Sequence, residues 1–425
     1  MYLLYSLLLA VGFILALPVF LWRGRATGKY FRTFRERMGR LPVYLNVDGD
    51  RSIWVHAVSV GEVLAARPLV EALKARFPSL RVLVSTTTLT GNAVAQKSVG
   101  GNDGLFYAPF DWPGPVRSAL DTVNPALLVL VETEIWPNLI HEARRRGVKV
   151  AIVNGRISPR SHKGYMRIRR FLGQVLREVD LFLMQGEAHA ERIRDMGAPP
   201  DRVRVTGNLK FDSVLVPRTS EKLRRLLAPE SRRGRPLFVA GSTAGGEEEL
   251  ILEAYRQIRQ RVPAAGLVIA PRHPERFDIV PALVQAAGFA CLRRSALEPG
   301  TWKGGEVVLL DTLGELAQVY PLADVVFVGG SLVPVGGHNI LEPAVAGKPV
   351  IVGPYMHNFQ EIADQFRAEG AHVEVRTSGD LAREVTSLLT DAVGRRSIGE
   401  RGRALVEQNR GALGATVEAL AGLVA

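Results

Sequence analysis

The chain has 425 residues, enough for two or three domains that each bury a core. Apolar residues make up 47% and charged residues 23%, which excludes wholesale disorder, and the single cysteine, Cys291, excludes a disulfide framework or a Cys-rich metal site. Lys+Arg number 54 against 42 Asp+Glu, and the resulting net charge of +12 would suit nucleic acid, an anionic membrane or a phosphorylated substrate.

The first 22 residues, MYLLYSLLLAVGFILALPVFLW, carry no charge. As a helix they are long enough to cross a hydrocarbon core of about 30 Å. Tyr2, Tyr5 and Trp22 suit interfacial positions, and Pro18 falls near the end, where a spanning helix tolerates it. Arg23, Arg25, Lys29, Arg32, Arg35, Arg37 and Arg40 follow, opposed only by Glu36. A cleaved signal peptide has its basic residues before the apolar run and a small-residue cleavage site after it, and neither is present. A retained membrane anchor over 1–22 is therefore expected, with a basic juxtamembrane segment over 23–42. The positive-inside rule then places the rest of the chain on the cytoplasmic side.

From residue 50 onward, apolar runs alternate with amphipathic stretches. The runs at 53–60, 81–88, 126–132, 148–154, 181–185 and 203–207 read as strands, and 62–77 shows helical spacing in Val63, Ala66, Leu69, Val70 and Leu73. After 212–235, which is polar, basic and holds two prolines, the rhythm resumes at 237–242, 266–271, 306–311, 325–330 and 348–353. Near-continuous apolar strands interleaved with helices predict parallel sheets covered on both faces. The expected fold class is therefore α/β, with two Rossmann-like domains at about 43–211 and 236–400. The segment 212–235 connects them with one short helix, and a C-terminal helix occupies 401–425. Two such domains would face a cleft, lined by residues that immediately follow strands.

Several motifs fall at those positions. SVGE (59–62) ends a strand and begins a helix, placing Glu62 in the first turn. A carboxylate there complements the helix dipole, or acts as a general base at a strand's carboxyl end. ETEIWPNL (132–139) puts Glu132 directly after a buried strand, where a carboxylate is costly unless solvated, paired or functional. Glu134 would face the same way if the extended conformation persists. The stretch 154–170 carries Arg156, Arg160, Lys163, Arg167, Arg169 and Arg170 with no acidic residue, reading as a solvated basic face or a site for phosphates or headgroups. Lys210 in GNLKFD is either an exposed lysine or a cation opposing developing negative charge.

In the second half, GSTAGGEEE (241–249) runs strand, loop, helix, but lacks the lysine of a P-loop. PRHPER (271–276) sets Arg272 and His273 after a strand. VGGSLVPVGGHNILEPAVAGKPV (328–350) combines a Gly-rich loop with His338, Asn339 and Glu342 at a helix start, a setting suited to ribose hydroxyls. With GxGxxG absent, a dehydrogenase is disfavoured. No H-E-x-x-H, DxD pair or Cys/His ligand spacing is found, so no bound metal is expected.

Taken in order, SVGE, ETEIWPNL, TGNLKFD, PRHPER and GGSLVPVGGHNILEP, behind an N-terminal apolar segment, resemble the Kdo (3-deoxy-D-manno-octulosonic acid) transferases of lipopolysaccharide synthesis across essentially the whole chain. The resemblance implies a GT-B type glycosyltransferase that is metal-independent, needs no cofactor and inverts at the anomeric carbon. The substrates it implies are CMP-Kdo and the 6′-hydroxyl of the lipid A precursor, lipid IVA. Residues 43–211 would then bind the acceptor and 236–400 would bind CMP-Kdo. Glu62 is implied as the base, with Glu132 and Lys210 as transition-state stabilisers. CMP-Kdo contacts are implied at Pro271, Arg272, Leu313, Gly314, Glu315, Asn339, Ile340, Leu341 and Glu342. From charge alone, Arg156, Arg160, Lys163 and Arg167 are candidate contacts for acceptor phosphates or the membrane. The expected location is the inner (cytoplasmic) membrane, held by a single-pass anchor against its anionic inner leaflet.

Three rivals stand beside this reading. One is another membrane-associated GT-B enzyme using UDP-GlcNAc, and another is an anchored binding scaffold without turnover. The third, nucleic-acid binding, is disfavoured because the chain lacks the basic and aromatic interleaving of the common modules.

Overall fold

A computed structural model of the chain describes all residues except 28–32, 47, 99–102, 215–217, 229–233, 303–304 and 425. The side chains of residues 17, 19–27 and 43 also lie outside the described part, as do Lys29 and Arg32 of the basic segment. The chain divides into two units, Met1–Ser213 with Asn409–Ala425, and Val214–Gln408.

The first unit is built on seven parallel strands: β1 (Ser52–His56), β2 (Arg81–Thr86), β3 (Gly104–Tyr107), β4 (Pro125–Val131), β5 (Lys149–Gly155), β6 (Leu181–Met184) and β7 (Val203–Val205). Their order is β3-β2-β1-β4-β5-β6-β7, so the sheet winds outward both ways from β1 and β4. Every residue of β4 is buried, as its unbroken apolar run requires. The pleat sends Ile53 and Val55 to one face, against Leu69 and Leu73 of the helix Val60–Arg76, and Trp54 to the other, against Val116, Ile140 and Val175.

The second unit repeats the plan with β8 (Leu237–Thr243), β9 (Gly266–Pro271), β10 (Cys291–Arg293), β11 (Val307–Leu309), β12 (Val325–Val328), β13 (Val350–Val352) and β14 (His372–Glu374). All are parallel, in the order β10-β11-β9-β8-β12-β13-β14.

The chain's end departs from expectation. In place of one helix over 401–425, a helix Ala392–Gln408 stays with the second unit, and Ala412–Val424 packs on the first. Gly411, at φ +102°, makes the break. Asp212 fixes the return, its carboxylate accepting from Gly411 N–H and Leu413 N–H at 2.8 Å each. Ala412 and Leu420 complete the core on that face of the sheet. In the connection, Glu221–Leu227 forms the one short helix among the described residues, capped by Ser220, while 215–217 and 229–233 fall outside them.

The N-terminal helix, Tyr2–Thr27, covers the segment expected to span a membrane. Among the described residues, no helix is long and apolar enough to cross a membrane. Tyr2 and Tyr5, expected at a lipid interface, instead donate to Glu178 (3.0 Å) and Asp111 (2.9 Å). Ser6 bonds Asn138, Tyr2 stacks on His141, and Phe13 meets Trp112 edge-on. On the opposite side Leu3, Leu4, Leu7, Val11, Ile14 and Leu15 are exposed. Arg37, counted with the juxtamembrane cations, is buried: it bonds the Thr33 hydroxyl and the Thr87 carbonyl and lies over the Tyr107 ring.

Candidate active site

In a doubly wound sheet, ligands bind at the carboxyl ends of the strands, where the winding reverses. In the first unit that point lies between β1 and β4, and Glu62 and Glu132 follow these two strands.

Glu62 stands in the first turn of its helix and is buried. Its carboxylate accepts from Val58 N–H and the Ser59 hydroxyl, both at 2.8 Å. Burial raises its pKa to about 7 against those two bonds, and the charges of Glu134 and Glu132 push the same way. A carboxyl group so poised exchanges a proton near neutral pH, as a general base must.

Glu132 leaves the sheet with φ +60°, a left-handed conformation that a non-glycine residue adopts at a cost of about 1–3 kcal/mol. Two cations meet its carboxylate: Arg156 Nε at 2.8 Å and Lys210 Nζ at 3.7 Å. Asn154, itself at φ +54° and fully buried, accepts from Leu209 N–H at 3.0 Å, and Asn208 accepts from Lys210 N–H at 3.0 Å. These bonds fix the short helix Leu209–Asp212 that carries Lys210. Glu132 and Glu134 do not continue as an extended pair, because the left-handed turn separates them. Glu134 accepts from Trp136 Nε1 at 2.7 Å, and burial raises its pKa.

Arg156 thus belongs to the carboxylate cluster, a pairing the sequence reading missed. Arg160, Lys163 and Arg167 remain exposed on and after the helix Pro159–Met166. Tyr165 of that helix is half-buried and feels the charge of Glu134, which sets the basic helix beside the site.

In the second unit the winding reverses between β8 and β12. The loops after these strands are joined by Glu247, which sequence reasoning did not single out. Fully buried, its carboxylate accepts four backbone N–H bonds: from Ala244 (2.9 Å), Gly330 (2.6 Å), Ser331 (2.9 Å) and Leu332 (2.8 Å). Four amides of these loops are therefore occupied by a protein carboxylate. Next to it, Glu248 takes two bonds from Arg276 (3.0 and 2.9 Å) and one from Thr243 (3.0 Å).

Arg272 follows β9, where its backbone N–H bonds Thr243 O at 2.9 Å. Burial raises the pKa of Glu342 against the Asn339 bond and the charge of Arg272, and the same charge acts on His338, so the three lie close together. Burial, with the charges of Arg272 and His273, holds His338 neutral with a pKa of about 4, and its Nε2 is buried with no hydrogen-bond partner among the described residues. Asn339 donates to Glu342 (3.2 Å) and caps Leu341 N–H (3.1 Å). Ile340 and Leu341 are fully buried. Pro271 ends β9. Leu313 is exposed and Gly314 has φ +82°, while the Glu315 carboxylate is held by buried Arg294 at 2.9 Å. Among the described residues, no group of three or more His, Cys, Asp or Glu side chains could hold a metal ion.

Two Rossmann-like units with the candidate residues at their winding reversals give a fold of the GT-B type, and residues 247–405 match the family model for glycosyl transferases group 1, which makes the class a glycosyltransferase. Residues 32–213 match the model for 3-deoxy-D-manno-octulosonic-acid transferase (kdotransferase). A 3-deoxy-D-manno-octulosonic acid transferase of Haemophilus influenzae is 37% identical over 85% of this chain and 85% of its own. The one from Bordetella pertussis is 38% identical over 96% of each. The chain belongs to this transferase family. At the level of fold alone, a UDP-GlcNAc 2-epimerase from Neisseria meningitidis superposes with a TM-score of 0.58 at 14% identity, covering 87% of this chain and 100% of the epimerase.

Proposed function

We propose that the chain transfers Kdo from CMP-Kdo to the 6′-hydroxyl of the lipid A precursor lipid IVA, with inversion, in lipopolysaccharide synthesis. The observation that carries this reading is the buried Glu62 carboxyl, tuned to about 7, beside the Glu132–Arg156–Lys210 cluster. As the acceptor oxygen attacks the anomeric carbon, its proton passes to Glu62. The bond from that carbon to the CMP phosphate breaks, and CMP leaves with the electron pair. Lys210 and Arg156 stabilise the negative charge that builds up, held in place by Glu132. Donor contacts fall on Pro271, Arg272, Leu313–Glu315 and Asn339–Glu342. Arg272 faces the leaving phosphate in place of a metal ion, so the scheme requires no cofactor.

The enzyme works at the cytoplasmic face of the inner membrane. Supporting this are the open apolar face of the N-terminal helix and the exposed cations Arg160, Lys163 and Arg167, which suit the anionic inner leaflet. A helix docked along its first half on the protein lies in the interface more readily than it spans. The mechanism is tested with Glu62→Ala: turnover should fall at least a hundredfold with CMP-Kdo affinity kept. An active variant would remove Glu62 as the base.

A further inference from the structure

The first unit contains a cavity of about 460 Å³ that the chemistry above does not use. Leu8, Leu9 and Phe13 of the N-terminal helix form one wall, and Phe110, Trp112 and Trp136 the other. Its size falls within the range of small-molecule pockets, about 300–1,000 Å³. The wall is built rather than accidental, because Tyr2, Tyr5 and Ser6 tie the helix to the unit through hydrogen bonds. Asp111, the one charged group lining the space among the described residues, is already engaged by Tyr5 O–H, Asn138 N–H and Leu139 N–H. What remains is aromatic and aliphatic, so the matching ligand is a hydrocarbon chain.

We propose that this cavity holds an acyl chain of the acceptor lipid, an inference that rests on the acceptor being lipid IVA. Two observations favour this occupant over a bulk lipid tail. Trp136 is shared: its ring lines the cavity while its Nε1 donates to Glu134, so a tail lodged there leaves its sugar beside the carboxylates. The charge is also complementary. Exposed Arg160, Lys163 and Arg167 suit the phosphates of the same molecule, and Phe171, on the helix that follows, packs against Tyr2 and Tyr5. Leu8 lines the space yet is exposed, placing the mouth next to the outer apolar face.

The full-length enzyme is irradiated with lipid IVA bearing a diazirine on an acyl chain, and the labelled residues are mapped by mass spectrometry. Label is expected on Phe13, Trp112 or Trp136 and is lost on adding excess unlabelled lipid IVA. A diazirine phospholipid is expected to label Leu3, Leu4 or Leu7 instead. Gly12→Phe fills the space from the helix, where an added Cβ meets nothing within 4 Å, and its Tm is measured beside the wild type's. It should raise KM for lipid IVA about tenfold and leave KM for CMP-Kdo unchanged. If the wild type transfers Kdo while its cavity stays unlabelled, or if phospholipid labels it equally, the inference is wrong and the proposed function stands. If no Kdo is transferred to lipid IVA, the proposed function falls, and this inference with it.

Discussion

Glu62 ties catalysis to stability in opposite directions. Its folded pKa of about 7 exceeds the ordinary 4.5, so the folded state holds the proton more tightly than the unfolded chain. That preference stabilises fully below about 4.5 and is lost as pH rises through about 7, a loss of about 3 kcal/mol. As the proposed base, Glu62 works only when deprotonated, so kcat/KM should climb through about pH 7 while Tm declines over the same interval. Glu62→Gln should melt higher than wild type at about pH 8 and turn over at least a hundredfold more slowly; a lower Tm there would contradict the burial argument. Glu132 allows a second comparison, because its φ of +60° suits glycine. Glu132→Gly and Glu132→Ala both lose the two ion pairs, yet the glycine variant should be the more stable by about 1 kcal/mol in urea melts. Equal stability would mean that the backbone there is unstrained. At this scale the sequence singled out Glu62 and Glu132 as carboxylates placed right after buried strands, and Lys210 as a lysine just before the connection; the structure sets Lys210 3.7 Å from Glu132. The pairing of Arg156 with Glu132 was hidden, since it depends on how β4 and β5 align and on the left-handed turn at 132.

At the level of elements, eleven strands were readable as apolar runs but the short edge strands β3, β10 and β14 were not, and neither were the strand order in the sheets and the return of the last helix. Both depend on contacts between residues far apart in the chain, such as Asp212 with Gly411 and Leu413. The run Glu247–Glu249 reads as ordinary dipole complementation at a helix start. Two of the three glutamates prove to be fully buried, and Glu247 joins the loops after β8 and β12. A glutamine side chain in its place would have the same shape but would present an NH2 to N–H donors. Glu247→Gln should therefore weaken CMP binding about tenfold or more by calorimetry at a temperature where the variant is still folded. A variant with lowered Tm but unchanged CMP affinity would give Glu247 a purely structural role.

For the molecule as a whole, the excess positive charge separates into parts. Arg37 and Arg156 are engaged inside the first unit, whereas Arg160, Lys163 and Arg167 remain at the surface. Reversing those three charges should raise KM for lipid IVA severalfold more than KM for CMP-Kdo, and reduce binding to anionic vesicles at low salt. Equal effects on both substrates would point to a disturbed fold. The N-terminal segment was legible as apolar but not as docked, because Tyr2 and Tyr5 bond to side chains more than a hundred residues away. The central claim is tested most directly by mass spectrometry of lipid IVA incubated with the enzyme and CMP-Kdo, with UDP-sugars in parallel. The account predicts that the acceptor gains Kdo with one CMP released per Kdo added. No gain with CMP-Kdo, or transfer from a UDP-sugar instead, would contradict it.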